Sequence, residues 1–223
     1  MISFQLPAPS ERPLRVLLIG CHSDDIEIGC GGFVLDLVRA RPDTIVSWVV
    51  LSALGSREDE AKASATDFLG GLQGSPDVRL GTFRDGFMPH DATGVKGFFE
   101  GLKEIEPDLV LTHQRGDLHQ DHRFACELTW NTFRDHIVLE YEVPKWDGDL
   151  GRPSVYVPIS EATLERKIDL LMKHFGTQRS KDWFTPDLFR ALPRIRGMES
   201  RAPEGLAEAF YAPKLGIRVS ELT

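Results

Sequence analysis

Two short clusters of imidazole and carboxylate side chains carry the chemistry legible in this sequence. The first is Cys21-His22-Ser23-Asp24-Asp25-Ile26-Glu27-Ile28-Gly29-Cys30-Gly31-Gly32. The second is Thr112-His113-Gln114-Arg115-Gly116-Asp117-Leu118-His119-Gln120-Asp121-His122-Arg123. His and Asp are ligands that suit zinc or ferrous iron. Two adjacent carboxylates, Asp24 and Asp25, are costly to hold together without a cation. A metal resolves that, with one Asp as ligand and the other free to act as a base toward water. His22 and Asp25 are three residues apart, and so are His119 and His122, so each pair can face one site. Either pair alone also fits a capping Asp beside a surface His. Together they point to a metal. Three protein ligands and an open position make the catalytic zinc pattern. His22, Asp25 and one of the two histidines would supply three.

The elements that must position these residues are legible as well. Each cluster directly follows an apolar run, Val16-Leu17-Leu18-Ile19-Gly20 or Leu109-Val110-Leu111. Parallel strands would deliver both clusters to one edge, because ligand sites in open α/β sheets gather at the carboxyl ends of the strands. The patterning predicts strands over 15–20, 44–51, 78–80, 109–111, 137–141 and 155–159. It predicts helices over 33–40, 57–69, 95–105, 123–133, 163–175 and 187–195. Gly29-Cys30-Gly31-Gly32 reads as a glycine-rich turn before the first helix, with the glycines letting the helix start pack close to the strand. They lack the G-x-G-x-x-G spacing of a dinucleotide site, and the second strand ends without an acid for a ribose. Alternation of strands and helices implies an α/β fold, Rossmann-like, with a mostly parallel sheet flanked by helices. The expectation is a single domain over 1–223, with 1–13 as an extended lead-in. The turn-rich residues 145–153 read as a loop over the site.

The bulk properties narrow the function further. A chain of 223 residues can bury one sizeable core. A formal charge of −8 argues against nucleic acid as a partner. Three cysteines without a CxxC motif read as reduced thiols, which places the protein in the cytoplasm. The first residues lack the basic region and apolar core of a signal peptide. No apolar run reaches the roughly 18 residues of a membrane span. A homo-oligomer is compatible with all of this.

The first cluster resembles the His-Pro-Asp-Asp-Glu signature of the PIG-L/LmbE-like deacetylase superfamily. The second resembles that family's His-x-Asp-His element, and the order and separation of the two agree. The resemblance implies hydrolysis of N-acyl groups, most often N-acetyl on amino sugars, with zinc or another divalent metal. Matched residue by residue, it implies His22, Asp25 and His122 as metal ligands and Asp24 as general base. It implies His119 as the histidine that stabilises the tetrahedral oxyanion, with Asp121 as its supporting carboxylate. Proximity to Asp121 would raise the pKa of His119, which would then work protonated. Two positions depart from the pattern: Ser23 replaces the proline and Ile26 the glutamate. Glu27 lies one residue later and receives no role. Arg57, where the family often has an arginine facing substrate, and Asp85, after the third strand, are candidate substrate-binding residues. Glu60 and His113 receive no role, and Trp146 in the loop is the aromatic residue placed to meet a sugar.

The implied activity is removal of an N-acetyl group from an amino sugar or sugar conjugate, such as a nucleotide sugar or glycoside, releasing acetate. One divalent metal is implied, Zn2+ first, with Fe2+ or Co2+ as alternatives. The same site would serve a deacylase of a non-sugar amide or ester. A non-catalytic binding protein of the same fold is the alternative from another class.

Overall fold

Three central strands are apolar along nearly their whole length, which is the composition of strands covered on both faces. They are β1 (Arg15–His22), β2 (Ile45–Ser52) and β4 (Leu109–His113). The computed structural model describes residues 12–216, so the lead-in expected over 1–13 lies outside the described residues except for Arg12 and Pro13. Four more strands complete the sheet: β3 (Asp77–Leu80), β5 (Ile137–Tyr141), β6 (Val155–Pro158) and β7 (Ala207–Tyr211). Their spatial order is β3-β2-β1-β4-β5-β7-β6. Strands β1 to β5 pair in parallel, and β7 runs antiparallel between β5 and β6.

Alternate residues of a strand face opposite sides of the sheet. Leu18 and Trp48 pack with Phe68, Leu171 and Phe210 on one side. Leu17, Ile19 and Val49 pack with Phe99 and Ala125 on the other. The first side is covered by α1 (Asp25–Ala40), α2 (Ser56–Phe68), α5 (Glu161–His174) and α6 (Pro186–Ser200). The second is covered by α3 (Ala92–Gly101) and α4 (Gln120–Thr132). The chain moves outward from β1 to β2 and β3, then crosses back to β4 on the other flank of β1. The carboxyl end of β1 is therefore the point where the winding reverses, where open α/β sheets form their ligand crevice.

The structure corrects the start of the first helix. It begins at Asp25, eight residues before the expected position, and runs through the glycines with a kink at Cys30 (φ −145°, ψ 19°). Its first turns are buried all round, so they show no amphipathic period. The glycines permit close approach and do not form a turn. A Cβ at Gly29 would lie 2.1 Å from the Tyr141 ring, and one at Gly31 would lie 2.8 Å from Phe68. The kink leaves backbone groups that need partners. Lys167 donates to the carbonyl of Ile28 at 2.7 Å. Glu208 accepts from the N–H groups of Gly32 at 2.8 Å and Phe33 at 2.6 Å. The two side chains also pair with each other at 2.7 Å. A buried ion pair thus splints the broken helix.

The other differences are smaller. The helix expected over 95–105 starts at Ala92 and ends in a separate 3₁₀ turn, Leu102–Ile105. Strand β7 was not expected, because only alanines alternate with its buried Glu208 before the aromatic end.

Glu208→Ala should destabilise the fold by about 3–5 kcal/mol, the scale of leaving one partner of a buried pair alone. Urea denaturation checks this. Lys167→Met combined with Glu208→Leu should remain less stable than the wild type, because the N–H groups of Gly32 and Phe33 stay unpaired.

Candidate metal centre

Three elements bring one donor each to the crevice. The end of β1 carries His22, the first turn of α1 carries Asp25, and the first turn of α4 carries His122. His22 Nδ1 lies 3.2 Å from His122 Nε2 and 3.3 Å from Asp25 Oδ2. His122 Nε2 lies 3.4 Å from the same Asp25 oxygen. A tetrahedral ion with bonds of about 2.0–2.1 Å has ligand–ligand edges of roughly 3.3–3.4 Å. The three atoms therefore form one face of such a tetrahedron, and all three residues are buried. These residues fit a divalent metal in both donor type and spacing. Among the described residues, further metal-capable groupings overlap here: Cys21, Asp25, His113 and His122; His22, His119 and His122; and His22, Asp85, His119 and Asp121.

The charges agree with a cation site. Burial pushes the Asp25 carboxyl up, but the imidazoles of His122, His113 and His22 together hold it well below the usual range. Burial lowers His22, yet Asp25, Asp121 and Asp85 outweigh it and raise its pKa well above the usual value. Asp25 also accepts from the backbone N–H of His22 at 2.7 Å, which ties helix to strand.

Both candidate imidazole donors have a carboxylate at the outer nitrogen. Such partners fix ring orientation in metal sites. His122 Nδ1 lies 2.9 Å from Asp117 Oδ2. His22 Nε2 lies 2.9 Å from Asp85 Oδ1, a close ion contact without hydrogen-bond alignment. The His22 contact holds the Asp85 carboxyl down at about 2. Asp117 received no role from the sequence. The signal was an acid five residues before a helix-opening histidine, close enough to fold back on it. His113 was also left without a role. Its ring stacks on His122 at 3.8 Å between centroids, and its Nε2 accepts from the N–H of Cys21 at 3.0 Å. Burial first, then His122, lowers its pKa to about 4, so it is a neutral packing partner.

Asp24 sits at the start of α1 beside the triad and belongs to none of the metal-capable groupings. Its Oδ1 accepts from Arg57 Nη2 at 2.6 Å. Burial raises its pKa, and Arg57 opposes the rise. Ser23, where the family pattern has proline, donates its hydroxyl to the carbonyl of Arg57 at 3.0 Å. Arg57 therefore touches Asp24, where a substrate contact alone was expected.

His119 caps α4, and its Nδ1 accepts from the N–H of Asp121 at 3.3 Å. That leaves Nε2 to carry the ring proton. Its pKa is lowered, by burial first and then by His122 and His22. The expectation of a His119 protonated by Asp121 is corrected. The Asp121 oxygens point instead to the N–H groups of Gly86 at 2.6 Å and Met88 at 3.1 Å. Asp121 thereby pins the loop that carries Asp85. Glu27 is buried with neither oxygen hydrogen-bonded, and burial pushes its pKa well up. Glu60 accepts from the N–H and hydroxyl of Thr177, away from the triad. Trp146 is 68% exposed and donates to Asp182.

Asp117→Asn should weaken cobalt or zinc binding by about 10–100-fold, the usual cost of losing an outer carboxylate. Competition with a chelator measures it.

No curated protein matches the chain by sequence. A conserved protein from Thermus thermophilus shares the fold with a TM-score of 0.71 and 22% identity, covering 94% of this chain and 100% of its own. The N,N'-diacetylchitobiose deacetylase from Pyrococcus horikoshii does so with a TM-score of 0.69 and 20% identity, over 93% of this chain and 86% of its own. A 4-carboxy-2-hydroxymuconate hydratase from Pseudomonas putida reaches 0.71 at 16% identity, over 94% and 99%. The family model described as "PIG-L: GlcNAc-PI de-N-acetylase" matches residues 17–133, more than half of the chain, from within β1 through the end of α4. The chain belongs to the PIG-L de-N-acetylase family.

Proposed function

We propose that this protein is a metal-dependent N-deacetylase that releases acetate from an N-acetylated amino sugar or sugar conjugate. The observation that carries the reading is the His22, Asp25, His122 triangle at tetrahedral spacing, with Asp24 beside it and tethered to Arg57. In it, His22, Asp25 and His122 hold one divalent ion, with Zn2+ first and Fe2+ or Co2+ as alternatives. Bound there, the ion would lower the pKa of water toward neutrality and polarise an amide carbonyl. A structural neighbour at 14% identity, teicoplanin deacetylase, has a zinc-inhibited form, so the native metal is a question for titration. The substrate class rests on the family and on neighbours described as deacetylases of N,N'-diacetylchitobiose and of the A40926 pseudoaglycone.

The residues divide the work as follows. Asp24 takes the proton of the attacking water and returns it to the leaving amine. Arg57 holds one Asp24 oxygen, which orients the base and opposes the rise that burial gives its pKa. His119, neutral, donates its Nε2–H to the developing oxyanion. Asp121 fixes the loop that brings Asp85 to His22. The Asp85 side chain is 59% exposed, which leaves it free to meet a sugar hydroxyl as well. A cytoplasmic location belongs to the same proposal. Among the described residues no helix is long and apolar enough to cross a membrane.

Mass spectrometry of N-acetylated sugars, nucleotide sugars, glycosides and N-acetyl amino acids after incubation tests the substrate class. Loss of acetyl from a sugar compound is expected. Turnover of the non-sugar amides alone would replace the sugar by another amide substrate. Chelation should abolish turnover, and a divalent metal should restore it.

Asp24→Asn should keep near-stoichiometric metal and lose at least about a hundredfold in kcat, the scale of general-base catalysis. Asp25→Ala should lose the metal. If the two variants behave alike in metal content, Asp24 is a ligand and the assignment fails.

The rate should fall on the acid side as Asp24 takes up a proton. Arg57 opposes the burial that raises the Asp24 pKa. Arg57→Met removes that opposition, so the acid limb of kcat/KM should move to higher pH. An unmoved limb would show that Arg57 does not act on the base.

A further inference from the structure

Lys145 lies on the segment between β5 and β6, at the rim of the crevice. Its side chain is 8% exposed. Its Nζ meets Asp117 Oδ1 at 2.9 Å, Asp149 Oδ2 at 2.7 Å and the carbonyl of Val143 at 3.3 Å. It donates to Asp149 and Val143 and faces Asp117 as an ion pair. Asp117 is fully buried. Its Oδ1 also accepts from the backbone N–H of His119 at 2.8 Å. Its Oδ2 is left for His122 Nδ1 at 2.9 Å. The His119 N–H and the Lys145 ammonium both hold Oδ1, which aims Oδ2 at the imidazole.

We infer that Lys145 is a positioning residue for the metal centre. It acts through Asp117 to set the plane of the His122 ring and the backbone at His119. The inference rests on the reading of His122 as a metal ligand. The surrounding segment has further fastening, part of it through the same Asp149 oxygen that Lys145 meets. Asp149 Oδ2 accepts from the N–H of Leu118 at 2.7 Å, and the Asp149 carbonyl accepts from Gln114 Nε2 at 3.1 Å. Neither of these bonds involves Asp117.

The test is cobalt(II) binding to metal-free protein, read by the visible cobalt spectrum and by competition with a chelator. Wild type, Lys145→Met, Lys145→Arg and Asp149→Asn are compared. Lys145→Met should bind cobalt about 10–100-fold more weakly, with an altered spectrum, as for loss of an outer partner of a ligand. Lys145→Arg should recover most of the affinity. Asp149→Asn loosens the loop while keeping Lys145 against Asp117, and should cost clearly less than Lys145→Met. Wild-type affinity and spectrum in Lys145→Met would overturn the proposal. So would an Asp149→Asn loss as large as that of Lys145→Met, because the loop alone would then explain the effect. If Lys145→Met fails to fold, Lys145→Gln takes its place under the same criteria. Failure of the wild type to bind cobalt is a separate result, which removes the metal reading on which this one stands.

Discussion

One buried carboxylate, that of Asp25, is the constraint around which the fold is arranged. Its Oδ2 lies 3.3 and 3.4 Å from ring nitrogens of His22 and His122 and accepts the backbone N–H of His22 at 2.7 Å. A charge taken out of water is expensive unless it is matched on several sides. Matching it here requires the end of β1 and the starts of α1 and α4 to meet at one point. The parallel pairing of β1 with β4 supplies that meeting, because it sends both strand ends to the same edge.

Asp25 can reach that point only because α1 starts at once after β1. The helix pays for this early start with a kink at Cys30. Its first turns must lie tight against Tyr141, which leaves no room for a Cβ at Gly29. Tyr141 in turn donates its hydroxyl to the carbonyl of Ile19 at 2.6 Å, bracing β1 from behind. Lys167 and Glu208 then close the break from two distant elements, α5 and β7. The far end of the chain is therefore part of what holds the first cluster in place.

The same device recurs around the crevice. Asp121 receives the N–H groups of Gly86 and Met88, Asp117 that of His119, Asp149 that of Leu118 and Glu140 that of Arg115. Carboxylates that accept backbone N–H groups are strong, directional clamps. Loops at a sheet edge lack the ladder bonds of strands, and buried acids supply the missing acceptors. This gives part of the acidic balance of the chain a structural use. It also divides the two candidate imidazole donors: His122 is backed by the buried Asp117, and His22 by the mostly exposed Asp85.

The sequence by itself determined the α/β alternation, the central apolar strands and the two clusters whose spacing names His22, Asp24, Asp25, His119 and His122. Those features are local. Apolar runs, turn residues and three-residue spacings report on neighbours along the chain. The tertiary structure decided whatever depends on residues far apart. It placed Arg57 on Asp24, Asp85 on His22, and Asp121 on the loop backbone and not on His119. It made a helix of the glycine run, because the reason for those glycines is the ring of Tyr141, more than a hundred residues away. It gave Asp117 and Lys145 their places, since neither residue type nor spacing says which acid a buried ammonium will meet. Pairing of buried charges is decided by where the backbone brings them, and the backbone's path is a property of the whole sheet.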